Sequence, residues 1–302
     1  MISNLNSSNA RFLYSLNSIE KRMNTAQQQL ASGKRINVAA DSPDDVTALL
    51  SSRAQLESAK QTNSNLDQTQ TEVNAAEKAL QQASSAYERA RVLGSQGGSD
   101  LQTADSRATL AREVEAVMEE LVGITRTTAG GRYIFSGDGD NLVPYTIDVT
   151  QTDPFSAYSG AATNTRQVQH PNGSRFQIAK SADEIFDSAD PNSNVFDSLT
   201  QLRNALLAND GDAVRAANER MNRVAPHLER MLSYYGTVQN RVDAGVEYGK
   251  KMVLDLQTQI SKVEGADLSQ AILDQQQAQL NMQAALQSRA QLDRRTLFDY
   301  LR

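Results

Sequence analysis

The sequence predicts a mainly α protein, with long terminal helices forming a coiled-coil-like bundle around a small β-rich middle insert. Three observations carry that expectation. Proline is absent between Pro43 and Pro144 and again after Pro226. A proline inside a helix costs about 3 kcal/mol, so both ends are free to form very long helices. Apolar residues recur in those ends at alternating spacings of four and three, the pattern of helices that pack side by side. Large side chains are scarce, with aromatics at 5% and no tryptophan, which suits thin bundles better than a wide core.

The elements follow in chain order. A first helix is expected from Ser3 to Ser32, carrying Leu5, Asn9, Phe12, Leu16, Ile19, Met23, Ala26 and Leu30 on one seam. Asn9 is its one polar position, set either to fix register or to sit at an exposed helix end. Gly33 stops this helix as a left-handed cap. After a loop, Ser42-Pro43-Asp44-Asp45 opens the next helix, with proline in the first turn and acids at the positive helix end. That helix is expected from Pro43 to Leu93, with Leu66, Val73, Leu80 and Tyr87 seven residues apart and Thr69, Ala76, Ala83 and Ala90 beside them. Gly94, Gly97 and Gly98 end it. A third helix, from Asp100 to Thr128, has Leu110, Val114, Val117, Leu121 and Ile124 on one face, with Gly130-Gly131 as its stop.

From Arg132 the chain changes character. Tyr133–Phe135 and Tyr145–Val149 are β-prone runs, and Val168–Ile178 reads as a hairpin with Pro171-Asn172-Gly173 at its tip. Helices resume with Phe196, Leu199, Leu202 and Leu206 on one face, stopped at Asn209-Asp210-Gly211. The next helix begins near Asp212, with Pro226 as a point of kinking. Val242, Val246, Gly249, Val253, Leu256, Ile260 and Val263 then keep a strict four-three alternation until Gly265 interrupts. Leu268, Ile272, Met282, Leu286 and Leu297 continue a weaker stripe among glutamines. Three parts result: an N-terminal helical part at 1–131, a β-rich insert at 132–193 and a C-terminal helical part at 194–302 that packs with the first.

Composition narrows the function. The net charge is −6 and the pI about 5.1, which disfavours nucleic acid and anionic membranes as partners. No apolar run approaches the roughly 20 residues needed to span a bilayer. The start, Met1 to Asn6, lacks the basic and apolar regions of a cleaved secretory signal. Cysteine is absent, so there are no disulfides and no thiolate chemistry. The two histidines, His170 and His227, stand far apart and have no partners in a metal-binding pattern. Asp138-Gly139-Asp140-Asn141 lacks the glycine and terminal glutamate of an EF-hand loop and reads as a turn. No nucleophile elbow or phosphate loop is present. We therefore expect no catalytic, cofactor-binding or metal-binding residues, and no enzyme.

The long seams must be covered, because isolated helices are marginal in water. The outermost segments are too narrow and too long for one chain to bury fully. Subunits that contact one another head to tail cover such seams and make rings or open polymers. The expected assembly surface is Leu5, Phe12, Leu16, Ile19, Met23 and Leu30 with Leu268, Ile272, Met282, Leu286, Leu297, Phe298, Tyr300 and Leu301.

Leu30-Ala31-Ser32-Gly33-Lys34-Arg35-Ile36-Asn37, followed by Asp41, Asp44 and Asp45, resembles the N-terminal signature of the bacterial flagellin family. In that family a terminal helix ends at Ser-Gly, and an Arg-Ile-Asn loop leads to an Asp-rich helix start. The family commonly carries Ser-Asp-Asp-Pro there, where this chain has Asp41-Ser42-Pro43-Asp44-Asp45. Gly131-Arg132-Tyr133-Ile134-Phe135-Ser136-Gly137 and the end from Ala266 to Leu301 are similar to the family branch that joins hook to filament. The resemblance covers about residues 1–135 and 195–302.

It implies a structural subunit of the flagellum, exported without a cleaved signal peptide and located outside the cell. The implied partners are copies of itself, a neighbouring hook-associated protein, flagellin, and an export chaperone at the C-terminal helix, with no cofactor. Two other readings stand beside it. One is a flagellin-like filament subunit. The other is a ligand-binding module with the β insert as recognition surface and the helices as scaffold.

Overall fold

A computed structural model describes residues 2–161 and 165–291, without the side chains of 2–8 and 291. The described elements are α1 (Ile2–Ser32), α2 (Pro43–Gly97), α3 (Ala104–Thr125), β1 (Thr128–Ala129), β2 (Arg132–Tyr133), β3 (Gln167–Gln169), β4 (Arg175–Gln177), α4 (Ala182–Phe186), α5 (Val195–Leu207), α6 (Gly211–Glu264) and α7 (Leu268–Gln291). The chain is mainly helical with a small strand-containing region, as the periodicity requires. It forms two compact units, one of residues 59–251 and one of residues 1–58 with 252–302.

The heptad of α2 supplies the axis of the 59–251 unit. Leu66, Val73, Leu80 and Tyr87 are all buried, and so are the small residues beside them, Thr69, Ala76, Ala83 and Ala90. Thr103 caps α3 by accepting from the amide of Ser106 (3.2 Å), and Leu110, Val114, Val117, Met118 and Leu121 form its buried face. Asn194 caps α5 in the same way through the amide of Asp197 (2.8 Å). Six aromatic rings fill the centre: Tyr87, Tyr145, Tyr235, Phe135, Phe186 and Phe196. Phe196 stacks on Phe155 with ring centroids 4.0 Å apart and on Phe186 at 5.6 Å, and meets Tyr145 edge-on at 5.0 Å.

Several local expectations are corrected. Gly94 does not stop α2, which runs on to Gly97. Gly130 and Gly131 are not a helix stop, since α3 already ends at Thr125. Both have positive φ (60° and 79°) and form the two-residue turn of the β1–β2 hairpin, which pairs Ala129 with Arg132. Of the first β-prone run only Tyr133 lies in a strand. Ile134 and Phe135 are buried as core plugs. Among the described residues Tyr145–Val149 pairs with no strand and makes one bridge, Ile147 with Phe155, and Tyr145 is buried in the aromatic centre.

The β3–β4 hairpin forms as expected, pairing Val168 with Phe176 and turning at Pro171-Asn172-Gly173. Pro226 lies exposed within α6, which continues on both sides of it. His227 is buried on α6, with its Nε2 facing the carbonyl oxygens of Glu184 (3.2 Å) and Ile185 (3.1 Å). His170 sits at the hairpin tip, where its Nδ1 accepts from the amide of Asn172 (3.1 Å). Both histidines have packing or turn roles. Asp138 holds Thr165 and Asp140 pairs with Arg132, so the Asp138–Asn141 stretch is a braced turn. No described helix is long and apolar enough to cross a membrane.

Candidate assembly site

The unit of residues 1–58 and 252–302 is built on the pair α1 and α7, which pack along each other. They run antiparallel. Arg289 near the end of α7 donates to Asn9 and lies over the ring of Phe12 (5.4 Å), while the amide of Ala266, just before α7, donates to the carbonyl of Gly33, just after α1 (3.0 Å). Asn9, more than two turns into α1, is thus exposed and paired to Arg289.

The seam residues of α1 fall on one side. Phe12, Leu16, Ile19, Met23 and Leu30 are half-buried, and Ala26 is buried. The residues of α7 buried in this unit are small ones, Ala271 and Ala278, with Met282 half-buried. Leu268, Ile272 and Leu286 are exposed on the adjoining side. Leu273 and Leu280, seven residues apart and absent from the stripe read in the sequence, are exposed on another side at 59% and 60%. The α7 helix therefore carries more apolar surface than this unit covers. The side chain of Leu5 and residues Leu297, Phe298, Tyr300 and Leu301 lie outside the described residues.

The loop between α1 and α2 is held by its own polar groups. Gly33 takes φ +69°, a conformation that a side chain disfavours, and its amide donates to the carbonyl of Gln29 (2.8 Å). Ser32 donates through Oγ to the carbonyl of Gln28 (2.7 Å) and accepts from the amide of Lys34 (3.1 Å). Ile36 is buried. Asp41 accepts from the amides of Asn37 (2.8 Å) and Val38 (2.9 Å), and the amides of Val38 and Asn37 hold its pKa below the usual carboxylate range. The side chain of Asn37 donates to the carbonyl of Lys34 (3.0 Å). Asp44 and Asp45 occupy the first turn of α2. Asp45 accepts from Arg35 (2.7 Å) and Ser42 (2.8 Å), which lower its pKa.

The same loop is fastened to the break between α6 and α7. Lys34 and Gly265 form an antiparallel bridge, and the amide of Arg35 donates to the carbonyl of Glu264 (2.6 Å). The guanidinium of Arg35 donates to the carbonyl of Val263 (3.0 Å). Glu264, 5% exposed, is paired with Lys34 and with Arg53 (2.8 Å). Burial raises the pKa of Glu264, but the two cations outweigh it and the net shift is downward. The sequence reading placed Lys34 in the family signature without this role and missed Glu264 and Arg53. One signal was available: an acid in the last turn of a helix opposes the helix dipole and needs a local cation.

The α1–α7 pair thus leaves apolar sides uncovered next to a braced and sharply turned loop. Residues 2–140 match the bacterial flagellin N-terminal helical region. Flagellar hook-associated protein 3 of Escherichia coli K12 is 26% identical over 298 residues, 90% of either chain. Flagellin A of Helicobacter pylori is 23% identical over 256 residues, 84% of this chain but 48% of that one. The fold is shared with Bacillus cereus FlgL (TM-score 0.56, 19% identity, 71% of this chain and all of that one) and Xanthomonas campestris FlgL (TM-score 0.60, 16% identity, 70% and 99%). The chain is thus similar to flagellins in its N-terminal helical region and to a flagellar hook-associated protein 3 along most of its length.

Proposed function

We propose that this chain is the structural subunit that joins the hook-associated layer to the flagellin filament. The observation that carries the reading is the even match to a hook-associated protein 3 along 90% of both chains, against a match to less than half of flagellin A. In this reading α1 and α7, with the segment that follows α7, form a shared inner layer with copies of the chain and with a hook-associated protein and flagellin on either side. Leu268, Ile272 and Leu286 are the side chains to be covered there. Residues 132–193 form an insert outside the packing helices α1 and α7. The chain reaches its place outside the cell by flagellar export, and an export chaperone holds the C-terminal helix beforehand. It acts by packing and carries out no reaction.

The test is a deletion strain assayed for motility and filament attachment. Free filaments shed from intact hooks are expected, with attachment restored by the full chain. Normal attachment without the chain overturns the reading. Immunolabelling along the whole filament, in place of a single band at its base, would assign the chain to the filament itself.

A further inference from the structure

The terminal helices are each interrupted once, by the loop after α1 and by the break at residues 265–267 before α7. Though far apart in the sequence, the two joints are fastened directly to each other. The amide of Arg35 donates across to Glu264 and the amide of Ala266 donates back to Gly33, one bond in each direction. Arg35 adds a second bond to the last turn of α6 through Val263. The carboxylate of Glu264 then lies buried between Lys34, from the loop, and Arg53, from α2.

That position is unfavourable for a carboxylate by itself. It stands at the negative end of a long helix and out of water, and both conditions penalise the charge unless cations meet it. Lys34 and Arg53 come from the chain that must be held against α6. While the two joints are together and Glu264 is out of water, Lys34 and Arg53 compensate its charge. A glutamine there would lose both ion pairs and leave Lys34 and Arg53 facing each other.

We infer that Glu264, with Lys34 and Arg53, is a clasp that makes the two joints close and open as one, so that α1 and α7 are positioned together. This deepens the junction reading by naming what aligns the pair to be built into the layer. Its consequence for assembly rests on that reading, but the coupling itself is read in the free chain.

The experiment is hydrogen exchange on the full chain at neutral pH, following the amides of Arg35 and Ala266, whose acceptors lie across the joint. In the unaltered chain both are expected to be protected. Glu264→Gln should speed the exchange of both by about tenfold or more while amides of α3 keep their protection. Lys262→Gln, in the same turn and exposed, should change neither. Adding Lys34→Met to Glu264→Gln should add less than Lys34→Met does alone, since the pair is already broken. Unprotected amides in the unaltered chain, unchanged exchange in Glu264→Gln, a response of one amide without the other, or strict additivity would each overturn the clasp. The deletion-strain assay reports separately on the junction reading. Loosened amides with no attachment defect in the deletion strain keep the clasp and remove the junction role; the reverse pair of results does the opposite.

Discussion

The two units use the same apolar periodicity to different ends. In the 59–251 unit it ends in large, fully buried side chains, with six aromatic rings enclosed and the heptad leucines of α2 packed around them. In the unit of residues 1–58 and 252–302 the buried apolar residues are few and often small, among them Ala26, Ala271 and Ala278, while five large apolar residues of α7 are exposed. One unit is a finished core. The other is a surface with a frame, held in shape by a loop rich in hydrogen bonds and by the ion pairs of the buried Glu264 with Lys34 and Arg53. Periodicity alone does not distinguish the two, because a seam reads the same whether its partner is in the chain or in a neighbour.

The contrast is broken most directly at Phe196, which touches three other rings. Phe196→Ala should cost about 3–5 kcal/mol, as large core deletions do. The half-buried Phe12, truncated in the same way, should cost well under half of that. Urea unfolding of the purified chain checks both. Equal losses at the two sites would mean that the terminal unit is as finished as the other.

Close packing within the 59–251 unit is tested at Gly249, where an added Cβ would collide with the side-chain amide of Asn63 on α2. Gly249→Ala should destabilise by about 1–3 kcal/mol through that overpacking. Gly123 in α3 has open space where its Cβ would stand. Gly123→Ala should therefore stabilise by about 0.5–1 kcal/mol, the ordinary helix preference for alanine. Opposite signs in thermal unfolding sharpen the picture, and two losses would mean that the outer face of α3 is occupied.

Acid separates the units in sequence. Burial lowers the pKa of His227, with hydrogen bonding to Glu184 and Ile185 opposing and Arg230 reinforcing the shift. A histidine held below its unfolded value is protonated more readily in the unfolded chain. Its contribution is full above the unfolded pKa of about 6.5 and is lost as pH falls below it. Glu264 has a lowered pKa, so its contribution survives through that range and is lost only as pH falls through the more acid window below the ordinary carboxylate value. Stability measured from pH 8 to 5 should decline, and His227→Gln should flatten the decline. A profile that the substitution leaves unaltered would remove His227 from the account.

Much of this was legible from residue spacing. The seams of α1 and α2, the helix entry at Pro43, the hairpin at Pro171–Gly173 and the stop at Gly33 all follow from local chemistry. Three features did not. The Gly130-Gly131 turn was read as a helix stop because glycine serves both purposes and only the pairing of Ala129 with Arg132 decides between them. The clasp joins residues more than two hundred positions apart, and no local pattern links them. The side of α7 that packs on α1 carries the small Ala271 and Ala278, which a stripe of large apolar residues does not pick out.

The exposed side of α7 gives the smallest effect on the free chain and the most informative one. Leu273 and Leu280 are more than half exposed, so replacing both with serine removes little that the folded chain buries. Stability should move by no more than about 0.5 kcal/mol, as surface substitutions usually do. If the exposed stripes are covered by neighbouring subunits, however, each leucine contributes its burial only on assembly. The variant should then fold normally, retain the aromatic core of residues 59–251 and fail to restore filament attachment in the deletion strain. Phe196→Ala would do the reverse in order, losing stability first and attachment as a consequence. A Leu273→Ser, Leu280→Ser chain that restores attachment fully would leave the stripe of Leu268, Ile272 and Leu286 as the working face of α7.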